Sequence, residues 1–187
     1  MIKKLIKVST LVVCALLFIQ CGSDKFDIAK GKVGELTTKT TVQDLDRIFK
    51  NDSIVKILSE GTKGDNYFQD DDEYLVYEKG GKHLLTIVPK EQLDSSSTIK
   101  SIQIFDDRFK TESDLSLSST FEEINANNKI SKVETSLSSA TLFIDDLNAT
   151  IAIDKEELGL KGLGFQKVSL EQIPDLARMK SFVIWFE

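Results

Sequence analysis

Residues 73–90 of this 187-residue chain, EYLVYEKGGKHLLTIVPK, carry its strongest β-hairpin signal. Two runs rich in β-branched and aromatic residues flank Gly80 and Gly81. Glycine pairs supply the positive φ angles that tight hairpin turns require. Pro89 closes the second run, because proline cannot donate a hydrogen bond to a neighbouring strand. A chain with such a hairpin must bury one face of a sheet, so the stretch directs the fold towards antiparallel β structure.

The segments around this hairpin recur later in the chain. TTVQDL at 40–45 matches STFEEI at 119–124, and NDSIVKI at 51–57 matches NNKISKV at 127–133. A second hairpin candidate, ATLFIDDLNATIAID, follows with its turn near Asp145–Asn148. The common order indicates a duplicated strand–helix–strand–hairpin module, and chance similarity of two short capped helices is the alternative. The sequence therefore predicts a strand-rich α+β fold with antiparallel sheets and two or three short helices.

The N-terminus has the pattern of an export signal followed by a lipidation site. Lys3, Lys4 and Lys7 precede the apolar run LVVCALLFI, which is too short for a bilayer span of about 20 residues and is typical of a secretory signal peptide. Cys21 stands where a bacterial lipobox places its acylated cysteine, although Gln20 departs from the usual Gly, Ala or Ser. A secreted protein with an unmodified cysteine is the alternative.

Cleavage before Cys21 defines the predicted organisation. It gives a signal peptide at 1–20, a lipidated cysteine and tether at 21–30, and a globular domain at 31–187 with repeats at about 31–105 and 106–168. Removal of three lysines from the 24 basic residues leaves 21 against 30 acidic ones, a formal charge of −9, which argues against nucleic-acid partners. Because Cys14 is cut off and Cys21 is acylated, the body has no thiol for a disulfide, a thiolate metal site or a cysteine nucleophile.

Few residues nominate a reaction. His83 is the single histidine, and we expect a structural or solvent-facing role for it, because no G-x-S-x-G pattern supplies a nucleophile. The densest acidic cluster comprises Asp65, Asp70, Asp71, Asp72 and Glu73. An EF-hand loop would need glycine where Asp70 stands, so we expect a solvated loop, with an irregular cation site as the alternative. The sequence thus predicts no catalytic residue, no cofactor and no metal ligand.

The segment order resembles a known family. The stretches GKVGELTTKTTVQDLDRIF, YLVYEKGGKHLLTIVP and IKSIQIFDDRFKTESDLSLSSTFEEI, with the hairpin after them, are similar over Gly31 to Asp154 to the enterobacterial sigma-E-regulated envelope lipoproteins of unknown function. The resemblance implies a strand-rich α+β lipoprotein of the cell envelope with no established activity. Gly22 stands where those bacteria place Asp for inner-membrane retention, so the resemblance also implies sorting to the outer membrane, facing the periplasm, with surface display as the alternative.

We therefore expect an envelope lipoprotein anchored through Cys21, in which a non-enzymatic body binds another envelope protein or the cell wall. One alternative is a hydrolase of cell-wall sugars that acts through two carboxyl groups, at least one of them with a raised pKa. The other is a carrier of a small ligand or a cation, which needs a cavity of a few hundred Å³.

Overall fold

The computed structural model describes residues 24–59, 71–159 and 167–186. In these ranges the regular structure is mostly β, with few helices. The strands are β1 (Asp27–Ala29), β2 (Lys32–Val33), β3 (Leu36–Thr37), β4 (Ser53–Ile57), β5 (Glu73–Tyr77), β6 (His83–Pro89), β7 (Ile99–Ile104), β8 (Lys110–Thr111), β9 (Ile130–Thr135), β10 (Ser139–Ile144), β11 (Ala149–Asp154) and β12 (Met179–Trp185). The α-helices are α1 (Leu45–Ile48) and α2 (Phe121–Asn127), and 3₁₀ turns cover Asp24–Phe26, Val42–Asp44 and Leu170–Gln172.

The strands form two sheets. The larger sheet has eight strands in the order β4-β5-β6-β7-β12-β11-β10-β9, and every neighbouring pair in it is antiparallel. The smaller sheet has the order β3-β2-β1-β8, in which only the β1–β8 pair is parallel. The predicted strand-rich antiparallel class is confirmed, but the helical share is small, so the fold is mostly β.

Period-two patterning explains why the large sheet has one buried face. Successive side chains of a strand point to opposite faces. The residues that lie opposite one another across all eight strands on the inner face are Ile54, Val76, Leu85, Ile104, Phe182, Ile151, Leu142 and Val133. The helices and the small sheet contribute Leu45, Ile124 and Ile28 to the same hydrophobic core. A one-residue slip of any strand would expose this row, so burial fixes the register.

Both predicted hairpins are present. β5 and β6 pair on either side of Gly80 and Gly81, whose φ angles are +124° and +92°. β10 and β11 pair from Ser139–Asp154 down to Ile144–Ala149, with a backbone bond from Asn148 N to Asp145 O closing the turn. These elements were predictable because the signal for a hairpin is local in the chain.

The large sheet consists of two four-stranded meanders, β4–β7 and β9–β12, each of which follows a capped helical turn. Thr41 caps the turn before α1 and forms a bridge with Thr98, just before β7. Thr120 caps α2 and forms a bridge with Arg178, just before β12. The same kind of contact therefore ties each helical turn to the last strand of its own meander.

The two meanders meet along β7 and β12. In this register Phe182 lies opposite Ile104 and Ile184 lies opposite Ile102, and the exposure of each of these side chains is at most 1%. The apolar C-terminal strand is therefore central in the sheet rather than at an edge, where it would invite pairing with other chains.

Several sequence expectations are modified or lie outside the described residues. Within the stretch 21–30 that the sequence predicts as lipidated cysteine and tether, Asp24–Phe26 form a 3₁₀ turn and Asp27–Ala29 form β1, which pairs with β2 and β8. Cys21, Gly22, Asp65 and Asp70 lie outside the described residues. Within the described ranges, no helix has the length and apolar character needed to cross a membrane.

Candidate functional site

His83 has a structural environment at the start of β6. Its ring stacks between Tyr77, at a centroid distance of 4.7 Å, and Phe105, at 3.9 Å. Nε2 lies 3.1 Å from the carbonyl oxygen of Leu85 and 3.2 Å from Oγ1 of Thr86. Burial lowers the pKa of His83, with the Leu85 contact acting in the opposite direction. The neutral ring is therefore favoured, as suits a stacking partner.

The acidic cluster contributes a structural carboxylate. The side chain of Asp72 is buried, contrary to the expectation of a solvated loop. Its Oδ1 accepts hydrogen bonds from the backbone N and the hydroxyl of Ser59 at 2.8 and 2.9 Å, and its Oδ2 accepts one from Leu93 N at 2.6 Å. Burial opposes ionisation, but these hydrogen bonds outweigh it and lower the pKa of Asp72. In the described ranges no three acids, histidines or cysteines converge on a metal-binding position.

A cavity beside the N-terminal turn is the best candidate for a binding site. We call it the N-terminal cavity, and it encloses about 300 Å³. It is lined by Lys25, Val33, Gly34, Glu35, Arg47, Ile48, Phe49, Lys50, Asn51, Asp52, Leu84, Leu85 and Phe109. Its size lies at the lower end of the range in which proteins hold small ligands.

The cavity has an apolar floor because several elements converge on it. Leu84 and Leu85 lie near the start of β6, Val33 comes from β2, and Phe109 comes from the segment before β8. Each of these four side chains is at most 3% exposed. Gly34 has a φ of +56° and allows the tight turn between β2 and β3 that forms one wall.

The rim of the cavity is charged. Lys25 Nζ lies 3.8 Å from Oδ2 of Asp52, a carboxylate that is only 7% exposed. Arg47 is largely exposed and contacts Asp44 at 3.3 Å. Lys50 is exposed and has no ion-pair partner in the part of the chain that the structure describes. Glu35 also lines the cavity and is exposed, so the rim has three cations and two carboxylates, and Arg47 and Lys50 are its accessible cations.

A network of ion pairs holds the wall next to this rim. Arg108 donates to both oxygens of Glu78 at 3.0 Å and to Oδ2 of the fully buried Asp106 at 2.6 Å. Its guanidinium also lies 4.5 Å from the ring centre of Phe26, and that ring packs edge-on against Phe109. Arg108 thus links the N-terminal turn, through Phe26, to the floor residue Phe109.

A second cavity of about 300 Å³ lies at the corresponding end of the other meander. Phe143 and Trp185 line it, and Trp185 Nε1 donates to Thr150 Oγ1 at 3.1 Å. Its one charged lining residue is Asp145. We prefer the N-terminal cavity because a buried floor and a cationic rim together select a ligand, whereas this second cavity has no cation in its lining.

Six carboxyl groups of the described residues have pKa values shifted from their usual range, and the direction of these shifts bears on the hydrolase alternative. A general acid requires a raised pKa. Every described carboxyl group with a resolved shift has a lowered pKa, namely Asp44, Asp72, Glu78, Asp94, Asp106 and Glu171. These groups are held in the ionised form by hydrogen bonds, so they are better suited to structural contacts than to proton donation.

The sequence did not reveal the N-terminal cavity. Its lining residues come from five separate stretches between Lys25 and Phe109, and the packing of α1, β6 and the small sheet brings them together. The one sequence signal that could have indicated it is the basic pair Arg47 and Lys50 at the end of a short amphipathic helix, which by itself is common on protein surfaces.

Comparisons with known proteins place the fold. No family model matches the chain, and no curated protein matches its sequence. Among solved structures the chain is similar to the uncharacterized protein yfeY from Escherichia coli, with a TM-score of 0.55 and 10% identity over 85% of this chain and 99% of that one. The likeness extends over most of both chains and shows that the two proteins share a fold. The protein yfeY is itself described as uncharacterized.

Proposed function

We propose that this protein is a lipid-anchored protein of the bacterial cell envelope, and that its body is a non-enzymatic binding module with the N-terminal cavity as its binding site. The observation that carries the proposal is the short chain distance between Cys21 and a residue of the folded body. Asp24 lies in a 3₁₀ turn, only three positions after the cysteine that follows the apolar run. A body with an ordered residue this near to an acylated cysteine is held against the membrane surface.

Confinement to a surface makes weak contacts useful. Tethering raises the effective concentration of a body towards partners on the same surface, so that affinity need not be high. Two or more acyl chains provide stable anchoring, whereas one holds only marginally. We extend the proposal to the outer membrane, on the periplasmic face, because Gly22 replaces the Asp of inner-membrane retention. Kinship with the sigma-E-regulated lipoproteins is part of the same proposal, and the fold shared with yfeY is compatible with it.

Metabolic labelling tests the anchor. We would express the full chain in a bacterium supplied with labelled palmitate, and compare it with Cys21→Ala and, as the matched control, Cys14→Ala. We expect label on the unmodified protein and on Cys14→Ala, and none on Cys21→Ala, because only Cys21 remains after cleavage of the signal peptide. Absence of label from the unmodified protein would show that Gln20 defeats the lipobox, and the proposed confinement would then be wrong.

The carrier alternative is favoured over the hydrolase by a specific observation. A carrier of a small ligand needs a cavity of a few hundred Å³, and the N-terminal cavity has this size with an apolar floor. In the described ranges the carboxyl groups with resolved shifts have lowered pKa values, which does not suit a hydrolase. Binding and carriage of a small ligand are compatible roles for one cavity.

We also propose that the two meanders arose by duplication. Support comes from the bonds that repeat in both units: Val42 N donates to Ser97 O in the first, and Phe121 N donates to Ala177 O in the second. The third strand of each meander also shifts register against the fourth. The shift lies between Val88 and Pro89 in the β6–β7 pair and between Ala152 and Ile153 in the β11–β12 pair. In this interpretation the small sheet is an addition to the first unit that closes the N-terminal cavity.

A further inference from the structure

The anchor would place the N-terminal cavity at the membrane surface. Three peptide units join Cys21 to Asp24, and an extended chain spans at most about 3.6 Å per residue, so these two residues lie within about 11 Å of each other. Lys25, the next residue, is part of the cavity rim. The polar headgroup layer is itself several Å thick on each side of the bilayer. The rim therefore lies within reach of lipid headgroups.

The accessible cations on this rim suit a phosphate. Arg47 is 72% exposed and its recorded partner is the partly exposed Asp44. Lys50 follows the end of α1 and is exposed. Arginine binds phosphate oxygens in a bidentate manner, and lysine provides a mobile positive charge. Because the body as a whole is acidic, these cations also favour the orientation in which this side faces the membrane.

The floor of the cavity is apolar, so it fits the hydrocarbon part of a ligand rather than a second phosphate group. The apolar side chains of the lining that keep accessible surface are Ile48, which is partly buried, and Phe49, which is 9% exposed. They lie above the almost completely buried Val33, Leu85 and Phe109, and none of these side chains can form hydrogen bonds. The volume of about 300 Å³ accommodates a compact amphiphilic fragment and is too small for whole acyl chains of ordinary length. The combination of a cationic rim and a small apolar floor matches the junction between a phosphate and the esterified glycerol of a lipid.

We infer that the N-terminal cavity binds one glycerophospholipid of the membrane that carries the anchor. Its phosphate lies on Arg47 and Lys50, and its glycerol and the first carbons of its chains lie against Ile48 and Phe49, above the buried floor. The inference rests on the proposed anchor, because the tether supplies the effective concentration that a weak site requires. The phosphate diester and the adjoining esters are the recognised chemistry, whichever alcohol the phosphate bears.

Native mass spectrometry of the full chain tests the inference. The protein, purified in a nonionic detergent, would be titrated with dihexanoyl phosphatidylglycerol and, separately, with dihexanoyl phosphatidylethanolamine. The variant is Arg47→Glu with Lys50→Glu. The matched control is Lys129→Glu, because Lys129 follows the end of α2 as Lys50 follows the end of α1. We expect one lipid bound per chain, with affinity reduced about tenfold or more in the double variant and unchanged in the control.

Equal loss of affinity in Lys129→Glu, or no effect of the double variant, would overturn the inference. Binding of glycerol 3-phosphate as tightly as of the lipids would also overturn it, because the apolar floor would then contribute nothing. The titration in detergent does not require acylation, so its result is independent of the labelling experiment. If the protein bound lipid but was not labelled with palmitate, the lipid site in the cavity would be supported and the anchor contradicted. If it was labelled but bound no lipid, the anchor would be supported and the lipid site contradicted.

Discussion

Among single residues, Asp106 has the most demanding environment. It is buried, and it accepts hydrogen bonds from Arg108 N at 2.9 Å and from the Arg108 guanidinium, with Lys82 Nζ 3.0 Å away. Burial opposes its ionisation, but the hydrogen bonds from Arg108 and Lys82 outweigh burial and hold the pKa of Asp106 far below its usual range. A buried carboxylate is tolerated only when paired in this way.

Asp106→Asn should therefore destabilise the fold. The substitution leaves Arg108 and Lys82 without their buried counter-charge, and removal of one partner of a buried pair costs about 3–5 kcal/mol. Because Arg108 is partly exposed and keeps Glu78, we expect a loss of about 2 kcal/mol in the free energy of unfolding, measured with urea. Asp107→Asn is the matched control, since the Asp107 side chain is 61% exposed and should change stability by less than about 0.5 kcal/mol. Similar losses in both variants would contradict the role assigned to burial.

The pH dependence of stability gives a second readout of the same pair. The pKa of Asp106 is lower in the folded than in the unfolded state, where it is about 3.9. The contribution of ionised Asp106 to the free energy of unfolding is therefore complete above the unfolded-state pKa. It is lost as the pH falls towards the folded-state pKa. We expect the stability difference between the unmodified protein and Asp106→Asn to be constant from pH 7 to about 5 and to shrink below about pH 4. A difference that grew in acid would have the wrong sign.

Residue-scale environments are the part of the structure that the sequence predicts least well. His83 was expected to be structural or exposed, and its stack depends on Phe105, which lies 22 positions further along the chain. Asp72 was expected in a solvated loop, and its burial depends on Ser59 and Leu93, which are 13 and 21 positions away. Such contacts are set by tertiary packing, which no local pattern encodes.

At the scale of elements, the sequence was more informative. Gly80 and Gly81 predicted the first hairpin because turn chemistry is local, and the two matched segments at 40–45 and 119–124, where short helices were expected, contain the starts of α1 and α2. The order of strands was not predictable, since β7 and β12 are neighbours in the sheet although β8, α2 and β9 to β11 lie between them in the chain. The N-terminal cavity depends on that order and on the small sheet, and so it was not predictable either.

The two faces of β12 should respond differently to substitution. Phe182 lies on the inner face and is fully buried, so Phe182→Ala should reduce the free energy of unfolding by about 3–5 kcal/mol through lost contacts and a residual cavity. Val183, its neighbour on the outer face opposite Gln103, is partly exposed, so Val183→Ala should cost about 1 kcal/mol or less. Urea unfolding of both variants checks this. Equal costs would mean that the outer face is also covered in solution.

For the whole molecule, the seam between β7 and β12 makes the two meanders depend on each other. Each unit has an edge strand at this seam, and the inner side chains Ile104 and Phe182 of these strands pair across it and are buried. A unit on its own would expose these residues beside unpaired backbone, which favours aggregation. The two units should therefore be inseparable in stability, although the chain connection between them should matter little.

Cleavage of that connection tests the argument. Residues 112–114 are exposed and follow β8, so a protease recognition sequence inserted between Glu112 and Ser113 can be cut in the folded protein. We expect the cut protein to elute as one species in gel filtration and to unfold in a single transition with urea, because the seam and the shared core keep both halves together. Loop closure contributes only a modest free energy that grows slowly with length, so the cut should lower stability without separating the halves. If the halves instead separated and each unfolded cooperatively, the units would be independent domains, and the central position of β12 could not be what holds the fold together.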